Sequence, residues 1–427
     1  MSIRDDVIKM KGSAPFLAAS SIEDRNNALA MIATALRENA DKIFDANRAD
    51  VDKAGENDIS QAVMKRLKFT EAKLTDCLKG IDQLISLNDP LGSITLSREL
   101  DEGLILKRVT CPIGVIGVIF EARPDALIQI STLCLKSGNC AILKGGKETA
   151  NTNMTLFKII HEAVVKAGLP EDCMLLAQSH AEIDELLDCH GYVDLLIPRG
   201  SNAFVRYIMD NTNIPVMGHA DGICHIYVDK DADFDKAIKV IVDAKTQYTA
   251  VCNAVETLLI NRDIAKDFLP LLSKALREKG VRLRGTKEVS DMISDVETLD
   301  EDGFIEYLDL IASVKLVDDV NEAIAHINRF GSHHTDSIMT ENKKTAETFM
   351  QMVDSAGVYQ NCSTRFADGF RYGFGAEVGV STGKIHARGP VGLEGLVTYK
   401  YKLYGNGHIV DDYATGKKQF HFKDITI

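Results

Sequence analysis

The chain has 427 residues, is 45% apolar and 26% charged, and carries a net charge of −13. That balance is ordinary for a globular protein with a large core, and the length accommodates about two to three domains. The acidic total argues against a nucleic-acid partner, and no apolar run reaches the roughly 18 residues of a membrane span. The 9 cysteines lie scattered, without a CxxC pair or zinc spacing, so no metal site is expected. An odd count without a disulfide framework points to a reducing compartment. The start Met1-Ser2-Ile3-Arg4-Asp5-Asp6 has no apolar signal core, which makes the cytoplasm the expected location.

Residues from about 15 to 90 read as helices. Ser21-Ile22-Glu23-Asp24 has the form of a capping box, followed by Ala28, Ile32 and Leu36 at helical spacing. A second helix carries Ile43, Ala46 and Val51, and a third carries Leu74, Leu78, Ile81 and Leu84. Asn88-Asp89-Pro90-Leu91-Gly92 is a turn cluster that ends this layer. Residues 93–110 alternate weakly and read as a hairpin turning at Asp101-Glu102-Gly103.

From Pro112 short strands and helices alternate. Strands are expected over Gly114–Phe120, Cys140–Lys144, Met174–Ala177 and Val193–Ile197, with helices between them. This pattern predicts a doubly wound parallel sheet. Ile223–Val228 is a further strand, and a second α/β unit follows it through Thr335–Met339. Leu396–Tyr404 alternates as a last strand.

Four loops carry the chemistry. Glu121-Ala122-Arg123-Pro124, Lys144-Gly145-Gly146-Lys147 and Pro198-Arg199-Gly200-Ser201-Asn202 each follow a strand and open a helix. Backbone N–H groups at such helix starts suit an anion, though a plain strand-to-helix turn and solvated lysines read equally well. The fourth is Val251-Cys252-Asn253-Ala254, just before the apolar run Val255–Ile260. A thiol on a turn at the mouth of a sheet is both held and exposed, as a nucleophile must be. A free cysteine also serves as a small buried hydrophobe.

Taken together these stretches resemble the aldehyde dehydrogenase superfamily, and within it the gamma-glutamyl phosphate reductases. The resemblance runs from about residue 12 to the end. It is carried by Pro112–Pro124, Leu143–Glu148, Ile197–Ser201, Gly218–His225, Cys252–Thr257, Val317–Asn328 and Gly373–Gly379. Gly218–His225 is also similar to the reductase half of the bifunctional pyrroline-carboxylate synthases.

The resemblance implies an aldehyde dehydrogenase-like α/β fold of two doubly wound domains and a small β oligomerisation arm. Residues 1–92 and 111–230 would bind NADP, 231–393 would carry the nucleophile, and 93–110 with 394–427 would form the arm and tail. It places Cys252 at the catalytic thiol, Lys144 at the adenosine ribose, Gly200 and Ser201 at the pyrophosphate and Glu306 at the nicotinamide ribose. Glu306 reads equally as a solvated acid. Lys147 stands where NAD-using relatives carry a glutamate, which favours NADPH because a lysine attracts a 2′-phosphate. Arg123 replaces an oxyanion-binding asparagine, and a guanidinium suits a phosphate-bearing substrate. Hydrolytic relatives keep a carboxylate base where Gly218-His219-Ala220-Asp221-Gly222 stands here, with His219 near the base position.

The implied reaction is NADPH-dependent reduction of L-glutamyl 5-phosphate to L-glutamate 5-semialdehyde through a Cys252 thioester. Asn361, Ser363 and Arg365 are the expected holders of the substrate's polar groups, with a structural ion pair as the other reading of Arg365. A homo-oligomer, dimer or tetramer, and a transient glutamate 5-kinase partner are expected. The competing reading is an acid-forming semialdehyde dehydrogenase of the same superfamily.

Overall fold

The computed structural model describes residues 2–56, 64, 66–219, 221–300, 303–374 and 377–426. Ala220, Gly375 and Ala376 of the quoted motifs lie outside the described residues.

The helical layer begins earlier than the pattern suggested. A helix spans Ile3–Ala19 and buries Ile3, Val7, Met10, Ala14 and Leu17, a stripe at alternating four- and three-residue spacing. Gly12 and Pro15 interrupt the composition but not the fold of this helix. Helices Ile22–Glu38, Ala40–Gly55 and Glu71–Ser86 follow. The Ser21 capping box is formed: Asp24 N–H donates to the Ser21 hydroxyl (3.1 Å) and Ser21 N–H to the Asp24 carboxylate (3.2 Å).

These helices cover a four-stranded parallel sheet in the order Met174–Ala177, Cys140–Lys144, Val115–Phe120, Leu195–Arg199. Every residue of Val115–Phe120 and Cys140–Lys144 is buried, as expected for strands covered on both faces. A second parallel sheet has seven strands: Glu297–Thr298, Arg282–Gly285, Ile311–Val317, Val255–Asn261, Cys224–Val228, Thr335–Met339 and Gly357–Gln360. Two parallel sheets of four and seven strands match the fold that the resemblance implies. No helix among the described residues is long and apolar enough to cross a membrane.

Two boundaries differ from the sequence reading. Cys224–Val228 pairs with Val255–Asn261 and Thr335–Met339, so the break between the sheets falls before residue 224 and not at 230. Near the other end, Val378, Ala387, Val391, Leu393 and Leu396 pack into the core of the first sheet. Alternation along the chain says that a segment is a strand; which sheet it joins depends on distant pairing.

The hairpin Ile94–Asp101 and Leu104–Pro112 turns at Gly103, whose φ of +71° favours glycine. Val397–Tyr404 pairs antiparallel with Leu104–Pro112, and Lys423–Asp424 pairs with Ile94–Asp101. The outermost strand exposes Tyr399, Tyr401, Leu403 and Tyr404.

One buried ion pair fastens the second sheet to the loop below it. Lys245 Nζ reaches Glu256 Oε2 at 2.7 Å, with both side chains fully buried. Burial pushes the Glu256 carboxyl up to about 7, against the opposing pull of Lys245, and burial lowers Lys245. Glu256 Oε1 also accepts from Leu308 N–H (3.3 Å), two residues after Glu306. Glu256→Leu leaves an uncompensated buried ammonium, and we expect it to destabilise the protein by about 3–5 kcal/mol. The double variant Lys245→Met/Glu256→Leu should recover most of that loss. Urea denaturation midpoints of the single and double variants provide the check.

Candidate active site

Cys252 lies on a turn closed by Ala254 N–H to Val251 C=O (3.1 Å), immediately before the fully buried strand Val255–Asn261. The thiol thus sits at the amino end of its strand. The three loops of the first sheet leave the carboxyl ends of theirs. The site is formed where these two unlike edges face each other, not along one shared edge.

Gly222 holds the turn by close approach. A Cβ there would lie 2.5 Å from Cys252 Cα and 2.6 Å from Cys252 Cβ. The buried Cys224 thiol donates to the Cys252 carbonyl at 3.2 Å. Among the described residues, no hydrogen bond uses the Cys252 N–H.

Two imidazoles flank the half-buried thiol. One donor atom each from His219, Cys252 and His334 lie within 4.8 Å of one another, and the two rings meet edge to face at 5.0 Å. His219 Nδ1 is 3.0 Å from the Val380 carbonyl. A carbonyl only accepts, so the ring proton belongs on Nδ1 and Nε2 keeps a lone pair. His334 is 1% exposed. Its Nδ1 meets the Thr335 hydroxyl at 3.0 Å, and its Nε2 is buried with no partner. Leaving such an atom unpaired costs about 1–3 kcal/mol. Sequence reasoning found His219 and missed His334, whose only signal is the polar pair His333-His334 before the strand Thr335–Met339.

Arg199 and Arg365 lie within the field of Cys252, and Arg123 within that of Arg199. Ala122 has φ of +44°, a left-handed turn that precedes Arg123, the residue capping the helix Pro124–Lys136. Arg199 ends the strand Leu195–Arg199. Burial pulls the half-buried Arg199 guanidinium below its ordinary value; Glu377 opposes this, the Arg123 charge adds to it, and Cys252 also lies within its field. Neither the Arg123 nor the Arg199 side chain forms a hydrogen bond or ion pair among the described residues. Arg199 was quoted in a motif but not assigned a role.

The segment Asn361–Arg365 behaves differently from expectation. The Asn361 amide bonds Thr340 N–H (3.0 Å), Thr340 C=O (3.0 Å) and Glu341 (3.2 Å), which makes it a clip on a strand end. Ser363 accepts from Arg365 N–H (3.3 Å). Arg365 donates to Asn253 Oδ1 and, at 3.0 Å, to Gln247 Oε1. Burial lowers its pKa, and the neighbouring Arg371 lowers it further. Arg365 therefore braces the residue next to Cys252, and this contact was not legible because position 253 is remote in sequence.

The expected cofactor residues gather at the other side. Ser201 caps the helix Asn202–Asp210, and its N–H donates to Glu121 Oε2 at 3.1 Å. A Cβ at Gly200 would lie 2.9 Å from the same carboxylate. Asn202 Nδ2 donates to Glu306 at 2.6 Å and to Asp221 at 3.0 Å. Glu306 is thus beside the helix start, not solvated alone. Lys144 is buried, donates to Gly145 C=O (2.6 Å), and is lowered by burial against the pull of Glu148 and Glu182. Lys147 is exposed at the start of a short 3-10 turn.

The aldehyde dehydrogenase family model matches residues 6–296. The chain is 57% identical over 420 residues to the gamma-glutamyl phosphate reductase of Acetivibrio thermocellus, covering 98% of this chain and 97% of that one. It is 56% identical over 425 residues to that of Pelotomaculum thermopropionicum, covering 100% and 98%. The crystal structure of gamma-glutamyl phosphate reductase from Thermotoga maritima superposes with a TM-score of 0.93 at 39% identity, covering 95% of this chain and 99% of that one. The chain belongs to the aldehyde dehydrogenase family, and within it to the gamma-glutamyl phosphate reductases. The family uses a nicotinamide cofactor.

Gly222→Ala should displace the Cys252 turn and lower kcat/KM at least tenfold, about 1.4 kcal/mol of transition-state stabilisation. The rate of Cys252 alkylation by iodoacetamide should change with it. Wild-type values for both would show that the close approach is not needed.

Proposed function

We propose that the chain reduces L-glutamyl 5-phosphate to L-glutamate 5-semialdehyde and phosphate, with NADPH, through a thioester on Cys252. It is an oxidoreductase of the reduction step in proline biosynthesis. The observation that carries the chemistry is the Cys252 turn, flanked by His219 and His334 and faced by Arg123 and Arg199.

The residues fit a dinucleotide. Glu121 already places a carboxylate at the Ser201 N–H, the kind of site a pyrophosphate takes at a helix start. Gly200 leaves room for that carboxylate, which a bound pyrophosphate would displace. Gly200 and Ser201 would hold the pyrophosphate, Lys144 and Glu306 the two riboses, and Lys147 the 2′-phosphate. When bound, NADPH supplies the reducing hydride.

The chain's own groups do the rest. Cys252 Sγ, its proton passed to the His219 Nε2 lone pair, attacks the acyl carbon. The S–C bond forms, the bond to the phosphate oxygen breaks, and phosphate leaves into the field of Arg123 and Arg199. The free Cys252 N–H faces the oxyanion. After reduction the C–S bond breaks and the thiol is regenerated. Asn361 and Arg365 act by holding the surrounding loops.

The acid-forming alternative needs a base for water beside the thioester. The carboxylate of the 218–222 stretch is turned the other way: Asp221 accepts from Asn202 and, at 2.7 Å, from Arg206 on the helix Asn202–Asp210. With that carboxylate turned away, His219 is the remaining base for water, and the charges of Arg123 and Arg199 favour phosphate over water as the group that opens the thioester in reverse. The exposed strand Val397–Tyr404 is the surface through which a homo-oligomer would form. Glutamate 5-kinase stays the candidate transient partner, since it makes the labile substrate.

In the reverse direction, glutamate semialdehyde should reduce NADP⁺ only when phosphate or arsenate is present. Arg123→Met and Arg199→Met should each raise the KM for phosphate at least tenfold, as expected for losing a charged contact of about 1.5–3 kcal/mol. Rapid phosphate-independent formation of glutamate, abolished in His219→Ala, would instead establish the acid-forming reaction.

Lys147→Glu should move preference from NADPH toward NADH by about ten- to a hundredfold, the size of one charge-assisted contact. The ratio of kcat/KM for the two cofactors is the measurement, and an unchanged ratio would remove Lys147 from phosphate recognition.

A further inference from the structure

We propose that His219, Cys252 and His334 form a three-ligand site for a zinc-class divalent cation, and that filling it shuts the enzyme reversibly. The site goes beyond the reductase reading; only its inhibitory effect rests on Cys252 being the nucleophile.

The donor set is two imidazole nitrogens and one thiol, all within 4.8 Å of one another. Tetrahedral zinc bonds place such donors about 3.3–3.6 Å apart, so small side-chain rotations close the site. Thiolate and imidazole select zinc, cobalt or copper over magnesium and calcium, which take oxygen ligands. Both rings are fixed through the other nitrogen, His219 Nδ1 on the Val380 carbonyl and His334 Nδ1 on the Thr335 hydroxyl. This is the outer-shell pattern that orients metal-bound histidines.

The second observation is independent of the cluster. His334 is buried, and its Nε2 has no hydrogen-bond partner. In the tautomer whose Nδ1–H donates to the Thr335 hydroxyl, Nε2 keeps a lone pair with no donor, and a cation held between His334, His219 and Cys252 supplies one. Binding exchanges the thiol proton for the metal: a S–metal bond forms and one proton is released. The fourth position remains open to water. The three ligands lie far apart in sequence, on either side of the break between the sheets and before the strand Thr335–Met339, so no spacing motif reveals them.

The test uses chelator-stripped full-length enzyme in buffered Zn²⁺, with Co²⁺ as the spectroscopic probe. Wild type should bind one Zn²⁺ with low-micromolar or tighter Kd, lose activity in parallel, and regain it with EDTA. Its Co²⁺ form should show a near-ultraviolet thiolate charge-transfer band, which Cys252→Ala lacks. His334→Gln, measured against its own zinc-free activity, should raise the inhibitory Zn²⁺ concentration at least tenfold. A Co²⁺ band that survives in Cys252→Ala overturns the site, whatever the fate of the histidine variant. Equal Zn²⁺ sensitivity in folded His334→Gln overturns it also. Stoichiometric Zn²⁺ binding at all three residues with full activity overturns the inhibitory claim and the nucleophile reading, and leaves the site.

Discussion

The close approach of Gly222 to the backbone of Cys252 is the constraint on which the site depends. With only a hydrogen in place of a side chain, the segment entering Cys224–Val228 lies flat against the nucleophile turn. The same segment carries His219 on one side and the Cys224 thiol on the other, and Cys224 bonds the Cys252 carbonyl. From the opposite face, Asn253 is held by Arg365 and by Ala367 C=O (2.8 Å). The thiol is thereby fixed at its backbone while its sulfur stays half-buried and reachable. In the proposed reaction, a thiol held in this way meets the substrate without first ordering its own loop.

A second constraint is electrostatic. The chain carries a net charge of −13, yet an anionic substrate must reach the centre of the molecule. The guanidinium groups of Arg123 and Arg199 stand at neighbouring strand ends without a salt bridge among the described residues, while surface arginines such as Arg206 and Arg262 are paired with carboxylates. Burial acts against the Arg199 charge, and an incoming phosphate would relieve that penalty. Glu121 and Glu148 play the complementary part. They occupy backbone donors at Ser201 and Ala122, so the loops keep their shape around an internal anion.

The domain arrangement follows from where the strands end. Nucleotide sites of doubly wound sheets lie beyond the carboxyl ends of their strands, and Lys144, Arg199 and Ser201 stand at such ends in the first sheet. Cys252 lies at the amino end of a strand in the other sheet. Glu306, bonded to Asn202, crosses between the two, and the buried Lys245–Glu256 pair fastens the loop that carries it. The proposed reaction needs the two edges opposed, because in it one would present the dinucleotide and the other the acylated sulfur.

Much of this was local, and local features are legible in one dimension. The Ser21 capping box, the hairpin turn at Gly103, the buried strands Val115–Phe120 and Cys140–Lys144, and a cysteine on a turn before Val255–Asn261 all follow from spacing and composition. Each depends on residues within a few positions of one another. The partnerships were not legible. Only the tertiary structure decided that Cys224–Val228 joins the second sheet, that His334 meets His219 and Cys252, that Arg199 faces the site, and that Asn361 and Arg365 turn inward to brace loops. The physical reason is that strand pairing and side-chain contact are chosen by packing among segments tens to hundreds of residues apart, on which the period of a single segment carries no information.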